Sequence, residues 1–512
     1  MGYKEITLKM PTDYSEAQLQ KEIENTLKIK NFSYHIARKS LDARKKGNIH
    51  WNLGISVLSD EIEGGEPVVP PSLTIPYRKR KQKVVVVGSG PAGFFSAFVL
   101  QKAGYDVTLI ERGSPVQKRA ESIRTFEKTG IFSPAGNYAF GEGGAGAFSD
   151  GKLTARSKHL HKEKRFMIDS FIQAGAPEEI AYLSHPHIGS DHLKTIVRNL
   201  SKEFRTIGGT ILLETYLEDI KIENGKVVKA ITSSGGLEAT CYIIASGHSA
   251  YETYRMLIKR GVGFQTKPFA IGCRMEHPQE IINLMQWGRE SLPGVKAAEY
   301  HLTSKGDGHL PVYTFCMCPG GVVIQSTAYE KKNIVNGMSR YKRNGKFANA
   351  ACVAGFHPNQ LIGSTTTALE ALEWIENLEE KFYDYSGGFQ VPICGIQNFI
   401  DQSIPSRNIE SSYPLGLTPA PLWEMLPHRI SCAIREGLKT FIRKIKGFEK
   451  GNIMGLESKT SSPIRVEREK NLLCKGFSNL YVVGEGSGYA GGIISSGSDG
   501  IKAAMNIIEK GN

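Results

Sequence analysis

The N-terminal stretch MGYKEITLKMPTDYSEAQ has no long apolar core. The chain therefore does not open like a secretory leader, and a cytoplasmic location is expected. The eight cysteines, at 241, 273, 316, 318, 352, 394, 432 and 474, show no paired spacing, which argues for reduced thiols rather than a disulfide framework. Cys316-Met317-Cys318 has no further Cys or His at ligand spacing, a poor pattern for a metal site. On a regular strand its two sulfurs would point the same way yet stand too far apart for an easy disulfide. Dense blocks of one charge are nearly missing as well. Lys plus Arg exceed Asp plus Glu by 64 to 51, a net +13, yet the only tight run is Arg78-Lys79-Arg80-Lys81 with Lys83. That run reads as a solvated linker; a nucleic-acid tract would interleave aromatics or extend further. The most apolar stretch, Val84 to Ile110, is broken by Gly-Ser-Gly-Pro and by Gln101, Lys102 and Asp106. It is expected to be a buried unit and not a membrane span.

What is present is organised around that same stretch, KVVVVGSGPAGFFSAFVLQKAGYDVTLIER, from Lys83 to Arg112. Four valines predict a strand, Gly88-Ser89-Gly90-Pro91-Ala92-Gly93 a glycine turn opening a helix through Gln101, and Asp106 to Ile110 a second strand delivering Glu111. This is a β-α-β unit with G-x-G-x-x-G and an acid at the end of its second strand. Gly88 allows the tight turn, Gly90 lets a pyrophosphate approach the backbone, and Gly93 lets helix and strand pack. The helix N-terminus offers free N–H groups to phosphate, and Glu111 can accept hydrogen bonds from a ribose.

Ahead of this unit, residues 1 to about 60 alternate strand-like and helix-like segments: Lys4 to Met10, a polar helix from Ser15 to Lys28 with Asp13 as a possible cap, then Phe32 to Arg38 and Ile49 to Leu58. Residues 63–83 are rich in Gly and Pro and read as a linker. Ser40 to Lys46 reads as a solvated helix end, with a functional patch as the other reading. After Glu111 a basic helical segment places Arg112 and Arg119 near the nucleotide pocket. Phe140 to Lys152 then forms a dense glycine cluster; it is either a mobile loop or a second cofactor loop of the kind that brings backbone amides against pyrophosphate and flavin.

Residues 208 to 250 predict a β-meander with an Asn224-Gly225 hairpin turn and a return strand ending in Ser246-Gly247-His248. His248 has two readings, a contact to flavin or substrate and a hydrogen-bonded structural histidine. In Phe269 to His277, alternation puts Phe269, Ile271, Cys273 and Met275 on a core face and Ala270, Gly272, Arg274 and Glu276 on the other. The second face either roofs a cavity or holds a structural Arg–Glu pair. Tyr313 to Gly321 reads as a similar strand ending in a turn. Finally, Leu480 to Val483 predicts a strand running into Gly484-Glu485-Gly486-Ser487-Gly488-Tyr489-Ala490-Gly491-Gly492-Ile493, with a helix from about Ser495. The carboxylate there can bind a ribitol chain, and the helix N-terminus can face a flavin pyrimidine that becomes negative on reduction.

GSGPAG with Glu111, GEGGAGAFSDGK and GEGSGYAGG together resemble the glutathione-reductase-like superfamily of FAD proteins. SLDARKK near residue 40, KPFAIGCRMEHPQ near 270, CMCPGG at 316 to 321 and TSSPIR at 460 to 465 extend the resemblance over nearly the whole chain. They make it similar to a family of bacterial FAD-dependent, NAD(FAD)-utilising dehydrogenases. Lys459 departs from that pattern, where Arg is expected. The resemblance implies an α/β fold: an FAD/NAD(P)-binding Rossmann-like domain (parallel sheet plus β-meander), a mixed α+β substrate domain and a small N-terminal α+β module. The expected divisions are 1–75, 82–255, 256–450 and 451–512, the last completing the FAD domain. Carried over by position, FAD binding falls on Gly88, Gly90, Pro91, Ala92, Gly93, Glu111, Arg112, Gly144, Lys152, Gly247, Gly484, Glu485, Gly492 and Ile493, with Arg119 beside them. The second glycine loop has no Cys-x4-Cys, which argues against a disulfide reductase, and no second β-α-β unit built like Lys83 to Arg112 follows, which argues against a dedicated nicotinamide domain.

The implied function is an FAD-dependent oxidoreductase passing hydride between flavin N5 and a small organic substrate, with Arg274, Glu276 and Arg465 as candidate substrate anchors. NAD(P)H, an electron carrier or oxygen would be the other redox partner. The alternatives are a flavin-bearing RNA-binding or RNA-modifying protein, and an N-terminal module that docks an electron carrier.

Overall fold

β-Branched residues in a row favour extended backbone, and Lys83–Val87 forms the middle strand of a five-stranded, all-parallel sheet. Its order is Leu480–Val482, Cys241–Ile244, Lys83–Val87, Asp106–Ile110, Thr210–Leu212. The computed structural model describes residues 2–67, 71–155, 159–363, 365–403 and 409–511. Successive valines serve different cores. Val84 and Val86 pack with the helices Pro91–Lys102 and Gly492–Lys510, while Val85 and Val87 pack toward the antiparallel parts of the molecule. A parallel strand covered on both faces reads as a continuous apolar run, which is what made it resemble a membrane segment. Among the described residues no helix is long and apolar enough to cross a membrane.

Two glycines let this layer close. A Cβ on Gly93 would lie 1.8 Å from the Gly88 carbonyl oxygen, and one on Gly500 would lie 2.0 Å from that of Ala92. The second contact brings helix Gly492–Lys510 directly against helix Pro91–Lys102.

The hairpin expected at Asn224-Gly225 has φ of 49° and 70° there, the backbone a two-residue hairpin turn requires. It joins Leu217–Glu223 to Lys226–Thr232 in a three-stranded sheet closed by Gly235–Leu237. The middle of the chain forms an eight-stranded sheet with Phe269–Pro278 near its centre. That strand pairs with Phe347–Phe356 on one side and Asn452–Glu457 on the other. Residues 452–457, expected in the closing nucleotide-binding segment, therefore run in the middle sheet. Ile464–Val466 also pairs with Phe264–Thr266, and the chain re-enters the parallel sheet only at Leu480. Val312–Gln325 does not end in a turn at Pro319-Gly320-Gly321 as the sequence suggests. It runs on through two register shifts, because Gly320 (φ 51°) has the Arg343 carbonyl 2.0 Å from where a Cβ would sit.

The N-terminal module is a three-stranded antiparallel sheet, ordered Gly2–Met10, His50–Ser59, Ser33–Asp42, covered by helix Glu16–Leu27. The helix cap is Ser15, not Asp13: Ser15 Oγ accepts from Gln18 N at 3.3 Å and Gln18 Oε1 from Ser15 N at 2.8 Å. Ser40 to Lys46 is a strand end and turn rather than a helix end, with Asp42 bound to Arg44 at 2.6 Å. The module is tied to the rest by backbone hydrogen bonds from Lys39 N to Tyr182 O and from Ser184 N to Lys39 O. Residues 68–70 of the expected linker lie outside the described residues. The basic run within it is not wholly solvated: Arg80 is buried, donates to the Ala103 carbonyl and lies 4.8 Å over the Tyr105 ring.

Gly500→Ala should therefore lower stability by ~1–3 kcal/mol through overpacking, visible as a reduced Tm. Gly47→Ala, with nothing within 4 Å of the added Cβ, should leave it unchanged. A second expectation concerns acid. Burial depresses His277 and His187 to about 4, and each Nε2 lies at a backbone carbonyl, that of Phe448 at 2.9 Å and that of Tyr341 at 3.1 Å. Between that value and the usual imidazole range the unfolded chain binds more protons, so stability rises with pH and is lost as pH falls from about 6.5 to about 4. Melting curves across this range should show the loss, at most about 3 kcal/mol from His277, and His277→Gln should reduce it to the share contributed by His187.

Candidate functional site

A cavity of about 300 Å³ opens at the carboxyl ends of the parallel strands. Gly88 and Gly90 follow one strand, Glu111 the next, Ala245 to Gly247 the return strand, and Gly484-Glu485 the edge strand; all of them line it. This is where an open α/β sheet binds its ligand. Two helices begin at the same cavity, Pro91–Lys102 and Gly492–Lys510. Their N-cap residues are Gly90 and Gly491, and neither start is capped by a side chain. Each therefore presents free N–H groups and a positive dipole end to whatever fills the space.

The glycine loops are held by two buried charges. Glu111 accepts from Ser89 N at 2.9 Å, Ser89 Oγ at 2.8 Å, Gly113 N at 2.9 Å and Gly141 N at 3.1 Å. The carboxylate thus bridges the first glycine turn and the second glycine loop. Arg119 is fully buried and donates to the carbonyls of Asn137 at 2.8 Å, Tyr138 at 3.0 Å and Gly144 at 2.8 Å, with longer contacts to those of Gly141 and Glu142. Its guanidinium also lies 4.6 Å over the Phe148 ring. Burial lowers its pKa to about 10, so it stays charged near neutrality. The expected second loop is therefore folded, wrapped around an arginine. Gly90 and Gly144 meet backbone to backbone, since a Cβ on Gly144 would lie 2.7 Å from Gly90 Cα.

The opposite wall comes from the eight-stranded sheet and its neighbours: Phe315, Cys316, Ile324, Ser326, Asn336, Gly337 and Lys459. Behind it, Arg274 is fully buried. It bonds Glu457 at 3.1 Å, Asn349 at 2.9 Å, the Cys316 carbonyl at 2.7 Å and Asn336 at 3.2 Å. The Arg–Glu pair therefore forms across strands and not with Glu276, which accepts instead from Ser412 N at 3.0 Å and from Ser412 Oγ. Burial raises the Glu457 carboxyl and the Arg274 guanidinium opposes it; the same pairing holds Arg274 charged.

Lys459 is buried at 2.9 Å from Glu379, which also accepts from Tyr251 at 2.9 Å and Ser458 at 2.6 Å. Burial lowers the lysine pKa, Glu379 working against it. The Cys316 thiol, in turn, is pushed down to about 6, chiefly by a hydrogen bond from Cys318, with Lys152 and Arg274 adding to it.

Of the expected cofactor residues, all but Gly93 and Arg119 line the cavity; these two act from behind, one by packing and one by holding the loop. Arg112 lies 4.0 Å over the Phe140 ring and pairs with Glu252, and Lys152 bonds the Met317 carbonyl. His248 lines the cavity with Nδ1 3.5 Å from Glu485, while its buried Nε2 has no partner within the protein. None of the three expected substrate anchors lines the cavity: Arg274 and Glu276 are buried behind its wall, and Arg465 is exposed and bonds Gln265. Sequence reasoning missed Ser89, which sits inside the glycine motif, and Asp499, which accepts from Gly484 N at 2.9 Å and pairs with Arg468 at 2.8 Å. Ser89 occupies the variable position of G-x-G, and nothing local marks Asp499.

The chemistry of the cavity fits a long dinucleotide. Gly247 and Gly492, with φ of 72° and 74°, have only open space where a Cβ would project, and both line the cavity. Two uncapped helix starts, donor-rich glycine loops and an orphaned histidine nitrogen complete a donor set for phosphates and polar heterocycle edges. The fold and site are those of a dinucleotide-binding α/β protein. The comparisons carry this further. Residues 81–133 match an FAD binding domain, residues 268–460 the C-terminal domain-like part of FAD-dependent proteins, and residues 3–58 a domain of unknown function. A Clostridium beijerinckii protein described as uncharacterized is 38% identical over 494 residues, covering 93% of this chain and 92% of its own length. The chain belongs to the same family, one of FAD-dependent proteins, and FAD is its cofactor.

Solved structures with distant likeness include CtdE in complex with FAD, 11% identical with TM-score 0.34 over 84% of each chain. A glycine oxidase from Bacillus cereus is 14% identical with TM-score 0.33, over 84% of this chain and 96% of its own. An L-proline dehydrogenase from P. horikoshii is 12% identical with TM-score 0.36, over 85% of this chain and 95% of its own.

Arg119→Met should leave five carbonyls without their donor, three of them in the second glycine loop and two just before it. We expect FAD affinity to fall by at least about tenfold, since each unsatisfied buried group costs ~1–3 kcal/mol. Flavin fluorescence released on gel filtration would measure it.

Proposed function

We propose that the protein is an FAD-dependent oxidoreductase that passes hydride between flavin N5 and a small organic substrate held against the eight-stranded sheet. The observation that carries this reading is the shared cavity. One side is built from helix starts and glycine loops suited to a dinucleotide, and the other from side chains of a different sheet. When bound, FAD supplies two-electron chemistry.

The chain's own contribution is placement and proton handling. Gly90, Gly144 and the start of helix Pro91–Lys102 would hold the pyrophosphate. Glu485 and the start of helix Gly492–Lys510 would hold the ribitol and the flavin edge, where a positive dipole end favours the reduced, anionic ring. Glu111 keeps both glycine loops in register while facing the nucleotide end of the cavity. Lys459 is a cavity-wall group able to move a proton, because burial favours its neutral form and Glu379 and Tyr251 fix its Nζ. Arg274 acts as a positioning residue: it fixes the Cys316 carbonyl and Asn336 without reaching the cavity itself. NAD(P)H or an electron carrier would serve as the second redox partner.

Anaerobic photoreduction of the yellow holoprotein followed by a metabolite screen for reoxidation tests this reading; a colourless protein that takes up no FAD would refute it. With a substrate in hand, Lys459→Met should slow substrate-dependent flavin reduction by ~100-fold or more while FAD content stays unchanged.

A further inference from the structure

We propose that Cys316 and Cys318 form a redox-active thiol pair in the wall of the FAD cavity, joined as a disulfide when an electron pair passes to the cofactor. The inference rests on the reading of this cavity as the flavin site.

The geometry overturns the expectation set by a regular strand. Pairing with the neighbouring strand slips here, for Phe315 faces Ala351 whereas Cys318 faces Asn349. Three steps on one strand match two on the other, so one residue bulges. Cys316 takes up the slack at φ 45°, a left-handed conformation that a non-glycine residue rarely adopts. Bulges commonly re-aim a side chain beside an active site. The local alternation that would separate two sulfurs is thus broken, and the Cys318 thiol turns back on residue 316, donating to the Cys316 carbonyl at 3.4 Å. Cys316 faces the cavity; Cys318 is fully buried behind it.

The surroundings favour a thiolate. Lys152 and Arg274 bring positive charge toward Cys316, against the carboxylates of Asp150 and Glu457. Lys152 is anchored on the carbonyl of Met317, the residue between the two cysteines, and Arg274 on the carbonyl of Cys316 and the sulfur of Cys318. Buried thiols elsewhere behave in the opposite way: Cys241, Cys273, Cys352, Cys394 and Cys474 are all pushed upward by burial, and none lines the cavity.

The step balances within the site. An S–S bond forms between the Cys316 thiolate and Cys318, and the Cys318 S–H bond breaks. One proton and one electron pair leave the thiols for oxidised FAD, which is the oxidant. In reverse, the same pair and proton return, cleaving the disulfide to a thiolate and a thiol.

Anaerobic reductive titration of air-oxidised holoprotein, with acid-quenched peptide mapping, tests the proposal. The wild type should consume about twice the reductant per bound FAD that Cys316→Ser or Cys318→Ser consumes, and its oxidised peptide map should contain a linkage between residues 316 and 318. In reduced holoprotein, Cys316 alkylation should follow a midpoint near pH 6, and Cys318→Ser should move that midpoint upward. If wild-type protein retains FAD yet consumes one electron pair with both thiols free, the proposal is overturned while the flavin site stands. Loss of FAD from every form would instead remove the reading beneath it, and the proposal with it. Should the variants fail to fold, the wild-type peptide map and alkylation profile decide alone.

Discussion

The site depends on one buried carboxylate. Glycine loops have the largest conformational entropy to lose, so two of them cannot stay folded against each other without an anchor. Glu111 provides it, accepting from Ser89 on one loop and from Gly141 on the other. The carboxylate is buried, which is tolerable only because its oxygens find partners among backbone amides and the Ser89 hydroxyl. Arg119 does the complementary job for carbonyls with a positive charge. Between them, a cation and an anion order a segment whose composition alone suggests a mobile loop.

The opposite wall is made rigid by a different device. Arg274 and Glu457 are both fully buried, in neighbouring strands of the large sheet. An ion pair in such a place contributes little net stability, yet removing one partner is costly. Its value lies in geometry: Gly337 approaches so closely that a Cβ there would lie 2.2 Å from the guanidinium. The wall facing the glycine loops is therefore set by a cation that never enters the cavity.

Much of the nucleotide half was legible because its signals are local. Four valines, a glycine turn and an acid spaced one β-α-β unit apart describe neighbours in space as well as in sequence, and Asn224-Gly225 dictates its own turn. The wall was not legible in the same way. Alternation along Phe269–Pro278 placed Arg274 and Glu276 on one face, but their partners, Glu457 and Ser412, lie on other segments that alternation cannot see. Cys316 escaped for a related reason: the bulge that turns it depends on a mismatch with the adjoining strand. The expected domain division at residue 451 cuts across the large sheet, because Asn452–Glu457 pairs with a strand almost two hundred residues earlier, Phe269–Pro278.

The strand order of the parallel sheet has a further consequence for biosynthesis. Leu480–Val482 pairs with Cys241–Ile244, which in turn pairs with Lys83–Val87. The edge of the cavity is thus completed only after the whole middle sheet has left the ribosome. Contacts of such long sequence range form late and slowly. Until they do, the first helix start has no counterpart, and Ala92 has no Gly500 to rest against. The two helix starts at the cavity thus come from opposite ends of the chain, and the space between them takes its shape only when the last segment is in place beside the first.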